Sequence, residues 1–360
     1  MRWVVAFIFF AATACASGGI AEDAEGDPLA SAVDAWANDN DISAVSVALV
    51  SPDGDVTTLG GSRDGEPPDV NSLYEVGSLT KTMVAATALL LVESGILDLD
   101  VPIQRWLPEF PRGDAVTLRH LLSHTSGISD GSAEDADLGE LAQFLEPVEP
   151  PELVETAAGF VGAGEVPAEH RYANSGYWVV GGVIEAATGQ DLAAVMREHL
   201  LDPLELADTF LAWSESVPRD LEPGELAGPT GEALALGSEV VPGVVSRAWA
   251  AGGVVSTASD MATFYDALFD GLVTASSRED LTTPPGGSTY GLGVERRRWA
   301  GGVAGWGHNG AIPGYSVSAA VGNNGWTVVV LTNRFAVTSA GVSPDGEAFI
   351  GSLLTIVDAP

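Results

Sequence analysis

The chain of 360 residues sets 50 acidic side chains against 15 basic ones, and its formal charge of −35 excludes tracking a nucleic-acid phosphate backbone. With 46% hydrophobic and 18% charged residues it has the apolar content for a sizeable core, which excludes wholesale disorder. One cysteine, Cys15, rules out an intrachain disulfide, and only one of the fifteen basic residues, Lys81, is a lysine.

The first twelve residues after Arg2 are uncharged and largely apolar, the length of a secretory h-region and too short to span a bilayer. Ala12-Thr13-Ala14-Cys15 resembles a bacterial lipobox, with Ala12 where leucine is usual. The segment predicts a signal peptide over 1–15, lipidation at Cys15 and a flexible acidic tether over 16–28. Ordinary cleavage at the A-x-A pattern Ala14-Cys15-Ala16 is the alternative. Either route exports the chain, and no later apolar run approaches 18 residues, so only a lipid would hold it to the outer face of the membrane.

Residues 42–50 are β-branched and apolar, Pro52-Asp53-Gly54 is turn chemistry, and 56–59 is again extended, which predicts a hairpin. From Ser78 the pattern changes: 82–92 is almost wholly apolar, of helical length and closed by Gly95, a buried helix. Further helices are expected over 118–123, 138–145, 176–188, 192–200 and 260–269. Strands return over 290–299, 303–308, 315–321 and, after Asn323-Asn324-Gly325, 326–332, with a closing helix over 347–357. The acidic stretches 130–170 and 214–246, rich in Gly and Pro, read as surface loops. The expected class is α+β: an antiparallel sheet built from 29–76 and 252–357, flanked by terminal helices, with a mostly helical part over 77–251 inserted.

Ser78 and Lys81 stand three apart on the expected helix, so the amine reaches the hydroxyl, and a serine at a helix N-terminus has backbone N–H groups beside it. Lysine acts as a base only when its pKa falls, as burial makes it do; arginine cannot. Tyr172-Ala173-Asn174 offers a phenol for proton transfer and an amide for substrate, although alone it reads as a packed Tyr beside a capping Asn. His308-Asn309-Gly310, placed between two expected strands, precedes Ala311, whose N–H suits an oxyanion.

In order and spacing these three motifs resemble the serine penicillin-recognising enzymes: S-x-x-K outright, Y-A-N in place of S-D-N, and H-N-G in place of K-T-G. Leu118-Arg119-His120-Leu121-Leu122-Ser123-His124-Thr125-Ser126-Gly127, Ala251-Gly252-Gly253-Val254-Val255-Ser256-Thr257 and Tyr290-Gly291-Leu292-Gly293 resemble further markers of that family. The resemblance implies a β-lactamase/transpeptidase-like fold, with Ser78 as acylated nucleophile and Lys81 as its base. It also implies Tyr172 as proton donor to the leaving group, Asn174 holding the substrate amide, and the N–H groups of Ser78 and Ala311 as oxyanion hole beside Gly310. His308 would polarise Tyr172, carrying a charge that changes near neutral pH.

In carboxypeptidases of this kind an arginine near the last motif binds the peptide carboxylate. Arg296 and Arg298 share one face of the expected neighbouring strand and are the candidates, a solvated edge being the alternative. The implied substrate is a D-alanyl-D-alanine-type peptide. An ester or a β-lactam turned over slowly, or a β-lactam receptor that never deacylates, are the alternatives.

Gly127-Ile128-Ser129-Asp130-Gly131 matches the G-x-S-x-G elbow but leads into an acidic stretch, so Ser129 is not expected to be a nucleophile. His120 and His124 read as structural, and Trp306 as a residue of the core or of the cleft wall. With His170 and His199 outside ligand spacing and Cys15 in the leader, no metal is expected, and no phosphate-binding glycine motif implies a cofactor. A monomer is expected.

Overall fold

The computed structural model describes residues 27–130, 146–227, 233–299, 302–338 and 341–358. Its backbone is a six-stranded antiparallel sheet. The strands are β1 (Val45–Val50), β2 (Val56–Gly61), β8 (Glu295–Arg298), β9 (Ala304–Ile312), β10 (Tyr315–Gly322) and β11 (Thr327–Thr332), numbered in chain order with those given below. They lie in the order β2-β1-β11-β10-β9-β8. The central strands are apolar on both faces because both are covered. Val45, Val47 and Leu49 of β1 and Val328 and Val330 of β11 face α1 (Pro28–Asp39) and α10 (Gly346–Val357), where Trp36 stacks on Phe349 with centroids 4.2 Å apart. Ala48, Val50, Val329 and Leu331 face the other way, into the core shared with the helices.

That larger core is centred on α2 (Leu79–Glu93), apolar on every side and buried along most of its length. Around it pack α3 (Leu118–Leu122), α4 (Pro150–Gly159), α5 (Asn174–Thr188), α6 (Leu192–Met196, continued as a wider turn to Leu201), α7 (Pro242–Gly252), α8 (Ala258–Phe269) and α9 (Ala275–Leu281). A short sheet of β3 (Tyr74–Glu75), β4 (Phe210–Leu211) and β7 (Val254–Ser256) joins the sheet layer to this helical layer. A third sheet, of order β13-β12-β5-β6, is made by β5 (Gly224–Ala227), β6 (Ala233–Gly237), β12 (Arg334–Thr338) and β13 (Gly341–Ser343).

The fold corrects four sequence expectations. The stretch 130–170 contains α4, which starts on prolines and buries Leu153 and Ala157, one turn apart, against α5. The stretch 214–246 contains the β5–β6 hairpin; β5 pairs in parallel with β12, more than a hundred residues on, so nothing local announces it. Residues 290–299 are a strand only from Glu295. His308-Asn309-Gly310 does not separate two strands but lies inside β9, which continues to Ile312 because β10 pairs with it throughout. The helix expected over 138–145 lies outside the described residues, as do Cys15 and the leader.

Candidate active site

Ser78 is the cap residue of α2, with helical backbone angles and no capping bond from its side chain, so its hydroxyl is left free for Lys81. Lys81, fully buried, places Nζ 3.0 Å from Ser78 Oγ, 2.8 Å from Asn174 Oδ1 and 2.7 Å from the Ala251 carbonyl oxygen. Burial lowers its pKa to about 7, opposed in part by the Asp130 carboxylate. The geometry then fixes the direction of proton transfer. Asn174 Oδ1 and the Ala251 carbonyl only accept, so they take the two N–H groups of the neutral amine and leave its lone pair facing the Ser78 O–H. Ala251 reaches this place because α7 breaks at Trp249, whose φ of +30° is rare for a non-glycine residue and whose ring is fully buried against Gly181.

Tyr172 completes the cluster. Its hydroxyl interacts with Ser78, its ring centroid lies 4.9 Å from Lys81 Nζ, and burial of the phenol raises its pKa, so it stays protonated. The residue as a whole is 40% exposed, which places Tyr172 on the wall of the cleft. Asn174 opens α5. Asp130 accepts from the Asn174 backbone N–H at 2.9 Å, from Ser175 N–H at 2.8 Å and from Asn174 Nδ2 at 3.3 Å. One carboxylate therefore caps the helix and sets the amide so that Oδ1 faces Lys81. Asp130 belongs to the G-x-S-x-G decoy: Ser129 offers its carbonyl to Ser175 Oγ, and the motif is a cap for α5 rather than a nucleophile elbow.

The third wall is the edge of β9. A Cβ on Gly310 would stand 2.3 Å from the Val76 carbonyl oxygen and 3.1 Å from Ser78 N, and one on Gly77 would stand 3.0 Å from Ala311 N. The backbones of 76–78 and 310–311 are thus in direct apposition, which brings the Ser78 and Ala311 amide nitrogens, the two expected oxyanion donors, to one seam. His308 does not behave as expected. It is 4% exposed, and burial together with the Lys81 charge lowers its pKa to about 3. Nδ1 lies 2.6 Å from the Asn309 carbonyl oxygen and therefore carries the proton, and Nε2, 2.8 Å away, accepts from the Tyr290 O–H. His308 is neutral at physiological pH and contacts Tyr290, not the Tyr172 hydroxyl. Glu75, raised to about 8 by burial, is mostly protonated at neutral pH.

The structure therefore gathers Ser78, Lys81, Tyr172 and Asn174 into direct contact, with Gly310 and Ala311 against the nucleophile. It leaves the two arginines apart from them. Arg296 lies opposite Trp306 across β8–β9 and lines a separate cleft of about 710 Å³ with Asp266, Asp270 and the turn at Pro52, while Arg298 is exposed. Arg297, between them, pairs with Glu295 and Glu347. Among the described residues no group of acidic, His or Cys side chains has metal-binding geometry. The sequence reading missed Asp130, Tyr290 as partner of His308, and the Ala251 carbonyl. Each meets its partner across at least 18 residues of chain, and no spacing rule reaches that far.

A serine–lysine pair at a helix cap, a tyrosine and an asparagine on a second wall and a glycine-edged strand on a third define the site of a serine hydrolase of the S-x-x-K type. The chain belongs to the beta-lactamase family, whose model matches residues 29–348. It is 29% identical to PbpX of Bacillus subtilis, provisionally named as a penicillin-binding protein, over 72% of this chain and 61% of that one. It is 32% identical to the esterase EstB of Burkholderia gladioli over 45% and 46%. The chain thus spans about three fifths of the first of these and less than half of the second. Among solved structures it resembles a D-stereospecific amidohydrolase from Streptomyces sp. (30% identity, TM-score 0.73, 85% of this chain and 93% of that one). It also resembles the D-amino acid amidase of Ochrobactrum anthropi SV3 (25%, TM-score 0.77, 91% and 98%).

Proposed function

We propose that the protein hydrolyses small amides or esters whose departing group is uncharged, through an acyl-Ser78 intermediate. Neutral Lys81 takes the Ser78 proton as Oγ attacks the substrate carbonyl, and the Ser78 and Ala311 N–H groups hold the developing oxyanion. Tyr172 delivers a proton to the departing nitrogen or oxygen, and water attacks the ester as the same groups run in reverse. The observation that carries the choice of substrate is the closed state of His308. Both ring nitrogens are engaged and the ring is neutral, so this wall offers neither charge nor a free donor to a carboxylate. Arg296 lines a separate cleft and Arg298 is exposed. The amidase and esterase relatives support the same reading, whereas the penicillin-binding relative favours the peptidase implied by the sequence.

One panel separates them: a D-amino acid amide, a short-chain nitrophenyl ester, a D-alanyl-D-alanine peptide and a fluorescent penicillin. Amide and ester should turn over at least about ten-fold faster, in kcat/KM, than the carboxylate-terminated peptide, the size of effect one missing charged hydrogen bond produces. D-alanine release at the amide's rate would sink the proposal in favour of a carboxypeptidase, and a lasting penicillin label without turnover would indicate a receptor. Ser78→Ala should abolish every activity found; retained activity would place the nucleophile elsewhere.

A further inference from the structure

Tyr172 sits in a loop that has no strand or helix of its own, yet a proton donor must be held to within a fraction of an ångström. One residue holds it on both sides of the tyrosine. The His124 carbonyl accepts from the Arg171 N–H at 3.0 Å, and His124 Nδ1 accepts from the Ala173 N–H at 3.3 Å, so both chain neighbours of Tyr172 are bonded to the same histidine. Its ring also lies against the Tyr172 ring, with centroids 4.3 Å apart and planes inclined by 37°. From Thr125, the next residue, the carbonyl accepts from Ala168 N–H at 2.7 Å.

Two features set His124 apart from a residue that merely fills space. Its backbone is left-handed, with φ +58°, a conformation that non-glycine residues rarely adopt without a reason in their surroundings. It is also 4% exposed, and its Nε2 finds no partner among the described residues. An apolar side chain would fill the same space without leaving a buried donor unpaired; only a side chain with an acceptor at the Nδ1 position satisfies Ala173. The base beneath it is firm, because the Leu122 carbonyl accepts from both the Tyr177 hydroxyl and the Gly293 N–H.

We propose that His124 is the positioning residue for Tyr172: it clamps the backbone on both sides of the tyrosine and packs its ring, and so aligns the hydroxyl with the departing group. This rests on the reading of Tyr172 as proton donor. The test uses that role, since an amide leaves only when protonated whereas nitrophenolate leaves unaided. The quantity measured is the amide-to-ester ratio of kcat/KM in the wild type and in Tyr172→Phe, His124→Phe (ring kept, acceptor lost) and His124→Asn (acceptor kept, left-handed backbone tolerated).

The ratio should fall about ten- to hundred-fold in Tyr172→Phe and His124→Phe, the range for a misplaced or missing general acid. In His124→Asn it should recover most of the way. Should His124→Phe not fold, His124→Ser, too short to reach Ala173, carries the same expectation. Amide and ester losses of equal size in the His124 variants, with the ratio lowered in Tyr172→Phe, would show that His124 only supports the fold. An unchanged ratio in Tyr172→Phe would overturn the donor role and this inference with it.

Discussion

Of the groups in direct contact with the Ser78 hydroxyl, Lys81 is the one whose charge changes near neutral pH. At its ordinary pKa roughly one lysine in 2,500 would be neutral at pH 7; with the value lowered to about 7 by burial, half are. Activity requires the neutral amine, so kcat/KM should rise with pH along a single limb centred near 7 and level off above it. Neither His308 nor His124 should add a limb near 6.5, because burial holds His308 near 3 and His124 well below its ordinary value. A pH profile on the nitrophenyl ester reads this directly, and a rising limb that moves when His308 is replaced by Asn would contradict it. Lys81→Arg keeps a charge but offers no lone pair and should cost at least about a hundred-fold in kcat. The Ser78–Lys81 contact was legible in the sequence, because three residues is one helical turn. The depth of the pKa change was not, because it depends on everything that buries the amine, Asn174 and Ala251 included.

Among the elements, β9 does most to shape the reactive centre. It pairs with β10 along its whole length, and at Gly310 its backbone comes against the chain that leads into α2. Gly310→Ala would place a methyl group 2.3 Å from the Val76 carbonyl oxygen and force strand and helix cap apart. The expected result is a loss of about a hundred- to a thousand-fold in kcat, the magnitude of one lost oxyanion donor, with the fold retained by circular dichroism. A variant with wild-type kcat would remove the Ser78–Ala311 seam as the oxyanion hole. Helix α2 announced itself through an unbroken apolar run, and β10 and β11 through their turn at Asn323-Asn324-Gly325. β5 and β6 did not, since Ala and Gly dominate them and β5 depends on β12, far along the chain, for its other partner. For the same reason Asp130, capping α5 from 44 residues away, read as part of an acidic stretch.

For the molecule as a whole, the charge of −35 is the main departure from an ordinary domain. Most of the paired arginines sit in small ion-pair networks, such as Arg63 and the buried Arg334 around Glu225 or Arg119 between Asp100 and Asp280, which leave a large unbalanced excess of carboxylates. Self-repulsion of that size lowers stability and is screened by salt, so the midpoint of thermal unfolding should rise by several degrees between about 0.05 M and about 0.5 M sodium chloride. A midpoint that falls over this range would mean that the surface ion pairs outweigh the repulsion. The same excess accompanies a reactive centre whose lysine is half neutral, which agrees with substrates that bring no negative charge.

By itself the sequence determined what is written within a few residues: the S-x-x-K turn, the apolar nucleophile helix, the order of the three motifs and, through them, the family. These depend on helical spacing and on runs of apolar residues, which need no knowledge of distant partners. Only the tertiary structure decided that Lys81 gives up its proton near neutrality and that His308 does not gain one. It also decided that His124 and Asp130 hold the second wall, and that the arginine run looks away from the nucleophile. Desolvation and long-range pairing are sums over groups far apart in the chain, and they acquire values only once folding has brought those groups together.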